Sequence, residues 1–383
     1  MTRHSVTTRL GVIIAVAMVA AGCDGLSDAS RDAAVVSELA VVAEPAPPLP
    51  APPVEPLDER PREQTRGLDP VLVDQALERA GTLDRLYSMV VARHGEILVE
   101  RNYRGRGLDV PANVKSVSKS ILSALVGIAI AEGHLAGLDQ PIIDFFADEL
   151  DPQAEPEKAA ITIGQLLTMQ SGLESTSGQN YGRWVNSSNW VRHALGRPLV
   201  AEPGTRRIYS TGNTHLLSAI LTRATGQSTW AYAREKLAAP LGINLPQWLR
   251  DPQGIYFGGN DMHISPRDLV KIGELYRNGG VHEGRQIVPR EWIVESWRAH
   301  TRGRNGEGYG LTWFGRETNG YQVRYAWGYG GQFLFVVPAL ELTVVFTSDP
   351  VSPREGPHNR ALHQLVDELL VPAAIAGAGL ESL

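Results

Sequence analysis

A serine and a lysine three residues apart open the most apolar stretch of the chain. Ser116 and Lys119 stand just before the run from Ile121 to Ala131. Because residues three apart share one face of an α-helix, the Lys119 amine can reach the Ser116 hydroxyl. Burial disfavours the ammonium form, so it would lower the pKa of this lysine toward that of a general base. The spacing therefore predicts a serine nucleophile that a lysine activates.

The start of this helix contributes to the same chemistry. Its first N–H groups have no partner within the helix, and its dipole is positive at this end, so both favour an oxyanion beside Ser116. A chance spacing is the alternative, because short motifs often match by accident. Two observations oppose chance. Of the five lysines, only Lys119 has a Ser or Thr three residues before it, and the helix is apolar nearly all round, as a buried helix would be.

Composition narrows the class of protein. The chain has 383 residues, of which 43% are hydrophobic and 20% charged, as in a globular protein with one large or two modest domains. A net charge of -6 without any basic run argues against a nucleic-acid partner. Cys23 is the single cysteine, and the histidines do not fall in metal-ligand spacing. We therefore expect no internal disulfide, no metal and no other cofactor.

The first residues have the pattern of an export signal. In residues 1–23, Arg3 and Arg9 precede the apolar stretch Leu10 to Ala21, and small residues lead to Cys23. A cysteine at this place resembles a bacterial lipobox, which implies cleavage before Cys23 and attachment of a lipid to it. An ordinary signal peptide with a chance cysteine is the alternative.

Residues 24–66 are rich in Ala, Pro and Glu. Such a segment cannot bury enough apolar surface to order itself, so it predicts an extended tether, or alternatively a disordered pro-region. With the lipid on Cys23, the tether predicts an exported lipoprotein of the bacterial cell envelope. The lipid would hold its folded domain at the periplasmic face of a membrane.

Residues 67–375 have the pattern of a folded α/β domain, more narrowly an α+β domain. Strand-like runs around His94-Gly95 predict a hairpin from Leu86 to Tyr103. Near the end of the chain, three strands and a helix are predicted at Tyr321–Trp327, Gln332–Pro338, Leu342–Ser348 and Ala361–Val371. Strands beside a buried helix favour a layered α/β arrangement.

Residues 138–250 predict a mainly helical lobe inserted into the sheet domain. One helix is expected from Ile161 to Leu173, capped by Thr162 and ending at Gly172. Tyr209 comes just before another helix, Thr214 to Thr225. Its phenol could pass a proton to or from a Ser-Lys pair, or it could simply be a packing residue with a hydrogen-bonded hydroxyl. After the lobe, Ser265 is expected to cap the helix Pro266 to Asn278.

Aromatic and amide side chains are candidates for the substrate pocket. Tyr181, Trp184 and Trp190 lie on or beside the polar loop after Leu173, and Asn260 follows a Gly-Gly pair. Such aromatic side chains contribute mainly hydrophobic area, so they could equally pack the helical lobe.

Several motifs together resemble one family. They are Ser116 to Lys119, Ile161 to Leu173, Tyr209-Ser210-Thr211, Ser265 to Gly280, and Gly328-Tyr329-Gly330-Gly331-Gln332. Their order is that of serine β-lactamase-like hydrolases, and the resemblance spans Leu68 to Val371. Within that superfamily the chain is most similar to the class C β-lactamase-related branch, which includes carboxylesterases and 6-aminohexanoate-dimer hydrolase.

The resemblance implies an antiparallel sheet flanked by helices, with the site between the sheet and a helical lobe. It implies that Ser116 is acylated, that Lys119 helps to deprotonate it and that Tyr209 passes the proton to the leaving group. The backbone N–H of Ser116 and that of Tyr329 or Gly330 would form the oxyanion hole. Asn213 and Gln332, within or beside these motifs, are further candidates for substrate binding.

Two departures from class C β-lactamases bear on the substrate. Where they have Tyr-x-Asn, this chain has Thr211, with Asn213 two residues later, and no lysine occurs near Gly328 to Gly331. Since that lysine helps to bind the substrate carboxylate, we expect a small ester or amide substrate rather than a penicillin. A D,D-peptidase or β-lactamase acting on cell-wall peptides or β-lactams is one alternative. A non-catalytic envelope binding lipoprotein of the same fold is another.

Overall fold

The computed structural model describes residues 67–303, 306–351 and 355–380. All of them belong to one compact unit. The predicted signal peptide with Cys23 and the predicted tether lie outside the described residues and stay predictions. No helix in the described ranges is long and apolar enough to cross a membrane. The same ranges contain no group of three or more His, Cys, Asp or Glu residues that could hold a metal ion.

Twelve strands and thirteen α-helices make up the described chain. The strands are β1 (Leu86–Arg93), β2 (Glu96–Asn102), β3 (Ala112–Asn113), β4 (His263–Ile264), β5 (Val281–His282), β6 (Arg285–Gln286), β7 (Thr301–Arg302), β8 (Gly308–Tyr309), β9 (Phe314–Thr318), β10 (Tyr321–Gly328), β11 (Gln332–Val337) and β12 (Leu342–Ser348). The helices are α1 (Pro70–Gly81), α2 (Val117–Ala131), α3 (Ile143–Phe146), α4 (Pro156–Ala159), α5 (Ile163–Leu167), α6 (Tyr181–Val185), α7 (Trp190–Leu195), α8 (Thr211–Thr225), α9 (Thr229–Ala233), α10 (Pro266–Arg277), α11 (Arg290–Trp297), α12 (Glu355–Leu365) and α13 (Val371–Leu380).

Eight strands form one antiparallel sheet in the order β2-β1-β12-β11-β10-β9-β8-β7. The predicted hairpin and the three predicted C-terminal strands are confirmed. His94 and Gly95 both have positive φ, 53° and 85°, as the two-residue turns that match strand twist require. The first and last strands pair with each other inside the sheet, where Met89 lies opposite Phe346.

Both faces of this sheet are covered. Every residue of β12 is buried, as expected for a central strand between two layers. Because side chains alternate along a strand, Val345 joins the core on the α2 side, whereas Val344 and Phe346 join the core beneath α1, α12 and α13. The predicted architecture of an antiparallel sheet flanked by helices is confirmed.

The helix α2 lies inside the first of these cores. Every residue from Val117 to Ala129 is buried, including the polar ones. Burying one Leu or Ile side chain is worth about 1.5–3 kcal/mol, so packing rather than helix propensity holds this helix in place. It contacts α8, α11 and strands β10 and β11, and it thereby joins the sheet to the helices of the predicted lobe.

Helix boundaries differ from expectation in three places, one of which is α8, which begins at Thr211 rather than at the predicted Thr214. The helix expected from Ile161 to Leu173 is the short α5, and its predicted cap at Thr162 is confirmed as a capping box with Gln165. It ends early because Met169 and Gly172 have φ of 59° and 75°, which interrupts the helix. At the other end of the chain, α12 continues through a π-helical turn into α13, so the helical segment extends beyond the predicted range.

We predict that Gly127→Ala destabilises the fold through α2. A Cβ at Gly127 would lie 2.4 Å from a ring carbon of Trp292, which is buried and cannot move away freely. Overpacking of this kind costs about 1–3 kcal/mol, more than the roughly 1 kcal/mol that alanine gains in helix propensity. The measurement is the urea midpoint of the full chain. Gly356→Ala is the control, because nothing lies within 4 Å of its Cβ position, and an equal midpoint for both variants would contradict the prediction.

Candidate active site

The loop before α2 holds Ser116 in a constrained position. Lys115 has a φ of 50°, a left-handed conformation that is uncommon for residues other than glycine. Its backbone N–H donates to Asn113 Oδ1 at 2.9 Å, and Asn113 Nδ2 donates to Asp261 Oδ1 at 2.8 Å. Strain of this kind persists where the surroundings determine the conformation, and it is frequent at functional sites.

The amine of Lys119 is enclosed by the protein. Lys119 is 2% exposed, and its Nζ lies 2.8 Å from Ser116 Oγ and 2.6 Å from the carbonyl oxygen of Gly259. Burial lowers its pKa to about 7 because water no longer solvates the ammonium. A neutral amine with one N–H on the Gly259 carbonyl can turn its lone pair toward the Ser116 hydroxyl, and that geometry suits a general base.

Tyr209 lies beside the same amine. The centre of its ring is 5.2 Å from Lys119 Nζ. The residue directly precedes α8, and its carbonyl oxygen accepts a hydrogen bond from Ser175 Oγ at 2.6 Å. The next residue, Ser210, accepts a hydrogen bond from the Thr176 N–H at 3.1 Å. The structure thus brings Ser116, Lys119 and Tyr209 together from two separate helix starts.

Two residues near Tyr209 carried no signal in the sequence analysis. The Arg207 guanidinium carbon lies 5.0 Å from the centre of the Tyr309 ring. Burial raises the pKa of Tyr309 well above its usual value, and negative charge on Tyr209 would raise it further. Tyr309 therefore lies near Tyr209 as an uncharged phenol at ordinary pH. Only its tertiary position identifies it, since it lies in the two-residue strand β8.

The turn with Tyr329 and Gly330 lies against the nucleophile loop. A Cβ at Gly328 would be 2.3 Å from the Val114 carbonyl oxygen and 3.0 Å from Lys115 Cβ. Only a glycine permits this approach of the β10 end to the chain just before Ser116. Gly330 has a φ of 87°, and its carbonyl oxygen accepts a hydrogen bond from Arg85 at 3.3 Å.

Behind the turn, Gln332 has a structural position. It is 1% exposed, its Nε2 donates to the Ser348 carbonyl at 2.7 Å, and its Oε1 accepts from the Ser348 N–H at 3.1 Å. The Ser348 hydroxyl in turn pairs with His358 Nε2 at 2.9 Å. Both ends of the Gln332 amide are thus used within the fold, which favours a structural role, and its predicted role as a substrate contact stays a prediction.

Asn213 is also buried, its Nδ2 has no hydrogen-bond partner among the described residues, and its predicted role in substrate binding stays a prediction. It is 1% exposed, and its Oδ1 accepts a hydrogen bond from Ser171 Oγ at 3.1 Å. Because Asn213 lies two residues beyond the position of the expected asparagine, it is on a different side of α8, and its side chain is buried. At the expected position, the Thr211 hydroxyl pairs with Ser177 Oγ at 3.0 Å.

The aromatic candidates divide between the core and the site. Trp184 and Trp190 are 0% and 4% exposed, and each indole N–H donates to a backbone carbonyl at 3.0 Å. This favours the alternative that they pack the helical lobe. Tyr181 is half-buried, and its Oη accepts a hydrogen bond from Asn260 Nδ2 at 2.9 Å. Because Asn260 adjoins Gly259, this pair lies next to the carbonyl that binds Lys119.

Comparison with known proteins agrees with this arrangement. The model of the Beta-lactamase family matches residues 73–368. The chain is 27% identical over 271 residues to 6-aminohexanoate-dimer hydrolase of Paenarthrobacter ureafaciens, with 64% of this chain and 63% of that protein covered. It is 32% identical over 192 residues to esterase EstB of Burkholderia gladioli, with 44% and 48% covered. The match therefore spans less than two thirds of either relative.

Solved structures show the same fold. A penicillin-binding protein homologue from Caulobacter crescentus superposes with a TM-score of 0.64 at 18% identity, over 78% of this chain and 97% of that one. At such low identity the likeness concerns the fold alone. Since the family model covers most of the described domain, including Ser116, Lys119, Tyr209 and the Gly330 turn, the chain belongs to the Beta-lactamase family.

Proposed function

We propose that this protein is a serine hydrolase that cleaves a small ester or amide through an acyl-enzyme on Ser116. The observation that carries the proposal is the buried Lys119 amine, whose Nζ lies 2.8 Å from Ser116 Oγ. With a pKa of about 7, a useful share of this lysine is neutral at ordinary pH and can take the hydroxyl proton.

The cycle then uses the groups around the serine. As the proton moves to Lys119, Ser116 Oγ attacks the carbonyl carbon, and the oxyanion is held by the N–H of Ser116 and that of Tyr329 or Gly330. The leaving group departs with a proton passed from Lys119 through Tyr209, whose ring is 5.2 Å from the amine. A water molecule then attacks the acyl carbon, and the proton it loses allows Ser116 to leave as a hydroxyl.

The substrate class follows from what surrounds the turn. Among residues 328–331, all described, Tyr329 is the residue with a long side chain and none is a lysine. A carboxylate on the substrate therefore gains no ammonium partner from this motif. The names of the two relatives, an esterase and a hydrolase of an amide dimer, support an ester or amide substrate.

Two alternatives remain to be tested against this proposal. A D,D-peptidase or β-lactamase would use the same serine, and the penicillin-binding protein homologue of the same fold is the observation in its favour. A non-catalytic binding protein would have no reason to retain a buried lysine in contact with a serine, because a buried amine is costly.

We predict that a fluorophosphonate labels Ser116 in the full chain and that Ser116→Ala abolishes the labelling. Intact mass gives the adduct, and the rate of labelling should rise with pH through about 7 as Lys119 loses its proton. A penicillin is expected to label far more slowly, since the turn has no lysine. Rapid penicillin acylation would favour the cell-wall alternative, and folded protein that takes no fluorophosphonate would exclude the serine hydrolase.

Removing the buried amine should abolish labelling and yet stabilise the fold. In the unfolded chain Lys119 has its ordinary pKa of 10.5, against about 7 when folded. Between these values Lys119 binds more protons in the unfolded state, so its contribution to the stability of the wild type rises with pH there and is lowest below pH 7. Each pKa unit corresponds to about 1.4 kcal/mol. Lys119→Met should therefore exceed the wild type in melting temperature at pH 6, and by less at pH 9.

The control for this prediction is Lys271→Met, which removes a partly exposed lysine paired with Asp268 at 2.8 Å. Exposed pairs of this kind contribute about 0–1 kcal/mol, so its melting temperature should follow the wild type at both pH values. A Lys119→Met protein that is less stable than the wild type at pH 6 would contradict the prediction.

A further inference from the structure

We propose that His215, held by Asp251, is a positioning residue that aims the Gly259 carbonyl at Lys119. The inference rests on the proposed function, because it assigns a role to residues behind the general base. Neither side chain touches Ser116, and neither has a part in the cycle described above. Their effect would pass through the backbone of Gly258 and Gly259.

The two side chains form a pair inside the helical lobe. Both are 0% exposed, and His215 Nε2 lies 3.0 Å from Asp251 Oδ2. The other carboxylate oxygen, Oδ1, accepts hydrogen bonds from the N–H groups of Gln253 at 2.9 Å and Ile255 at 2.8 Å. Asp251 is therefore fixed by its own loop, and its free oxygen faces His215.

Contacts on the other side of the ring determine which nitrogen of His215 carries the proton. The Gly258 N–H points at Nδ1, with a distance of 3.4 Å. We assign the acceptor role to Nδ1 from this contact, which places the proton on Nε2, where it is donated to Asp251. The rings of Trp184, Trp190 and Phe257 surround the imidazole at 5.4–6.0 Å between centroids. Asp251 is the charged group that contacts His215 within the described residues.

Close packing transmits this contact to Gly259. A Cβ on Gly258 would lie 2.2 Å from the Thr214 carbonyl oxygen, and one on Gly259 would lie 2.2 Å from Thr214 Oγ1 and 2.9 Å from Lys119 Cγ. The two glycines therefore lie directly on α8 and on the lysine. Because one peptide unit separates the Gly258 N–H from the Gly259 carbonyl, a shift of the former moves the latter.

The contact with Gly259 determines the orientation of the Lys119 amine. Its neutral amine has two N–H groups and one lone pair, and the 2.6 Å contact with Gly259 fixes one N–H. With that N–H held, the lone pair can face Ser116; without it, the amine turns freely and the proton transfer loses its alignment. The groups that face Lys119 Nζ are Ser116, the Gly259 carbonyl and Tyr209.

Asp251→Asn tests this chain of contacts with little change of shape. The N–H groups of Gln253 and Ile255 keep the side-chain oxygen of the new residue on their side, so its NH2 group faces His215. A donor at that place moves the imidazole proton to Nδ1, which then opposes the Gly258 N–H. The control is Tyr232→Phe, which removes a part-buried hydrogen bond from the Tyr232 hydroxyl to Glu132 at 2.9 Å and likewise leaves the shape of the side chain nearly unchanged.

The measurement is the rate constant of fluorophosphonate labelling of the full chain against pH, with the melting temperature of each variant. We expect Asp251→Asn to lower the high-pH plateau by about 10- to 100-fold, by analogy with the loss that follows removal of the hydrogen-bond partner of a metal-binding histidine. The rise with pH should also move to lower pH, because a carbonyl acceptor favours the ammonium and its loss favours the neutral amine. Tyr232→Phe should keep both the plateau and the position of the rise.

Every result of the Asp251→Asn experiment either supports or overturns the inference. A wild-type plateau and rise in Asp251→Asn would overturn the inference, as would a lower plateau with an unmoved rise, which is what mere destabilisation gives. If Asp251→Asn does not fold, His215→Asn and His215→Leu replace it, since both lose the Asp251 contact and only asparagine offers Gly258 an acceptor. Equal rates for these two would overturn it. A wild type that is not labelled at Ser116 would instead overturn the proposed function.

Discussion

The burial of one amine is the constraint on which the rest of the site depends. Lys119 lies within a mostly apolar, enclosed helix, where an ammonium without acceptors would not be tolerated. Its neighbours are the Ser116 hydroxyl one helical turn before it, and the Gly259 carbonyl and the Tyr209 ring from two distant parts of the chain. The fold has to bring these groups to one point. The same burial that makes an ammonium costly lowers the pKa of the Lys119 amine, so that part of it is unprotonated at neutral pH.

Backbone conformation around the serine is determined in a comparable way. The left-handed Lys115 is held from one side by Asn113 and its partner Asp261, and from the other by the close approach of Gly328. The Asn113–Asp261 hydrogen bond and the approach of Gly328 both join segments more than a hundred residues apart. The backbone conformation next to Ser116 therefore depends on the assembled structure as well as on the local sequence.

This division explains what could be predicted from the sequence. The Ser116–Lys119 pair is local, since a spacing of three on a helix fixes the contact, and the apolar run predicts the burial. The C-terminal strands follow from alternation and turns. The Gly259 carbonyl has no such signal, because every residue has a carbonyl and this contact spans 140 positions. Likewise the sequence predicts a helix just after Tyr209, but only tertiary packing determines that Asn213 on this helix contacts Ser171.

The aromatic residues also show that local sequence does not determine which side chain lies beside the site. Tyr181 and Trp184 both lie in the short helix α6. The Tyr181 hydroxyl accepts a hydrogen bond from Asn260 beside the site, whereas the Trp184 ring is enclosed and packs against His215. That enclosure excludes water from the His215–Asp251 pair, which strengthens its electrostatic interaction. Because α8 begins just after Tyr209 and carries His215 in its second turn, one helix adjoins both the Tyr209 ring and the Gly258–Gly259 backbone that contacts Lys119. A displacement of α8 would thus affect both of these contacts of Lys119 together.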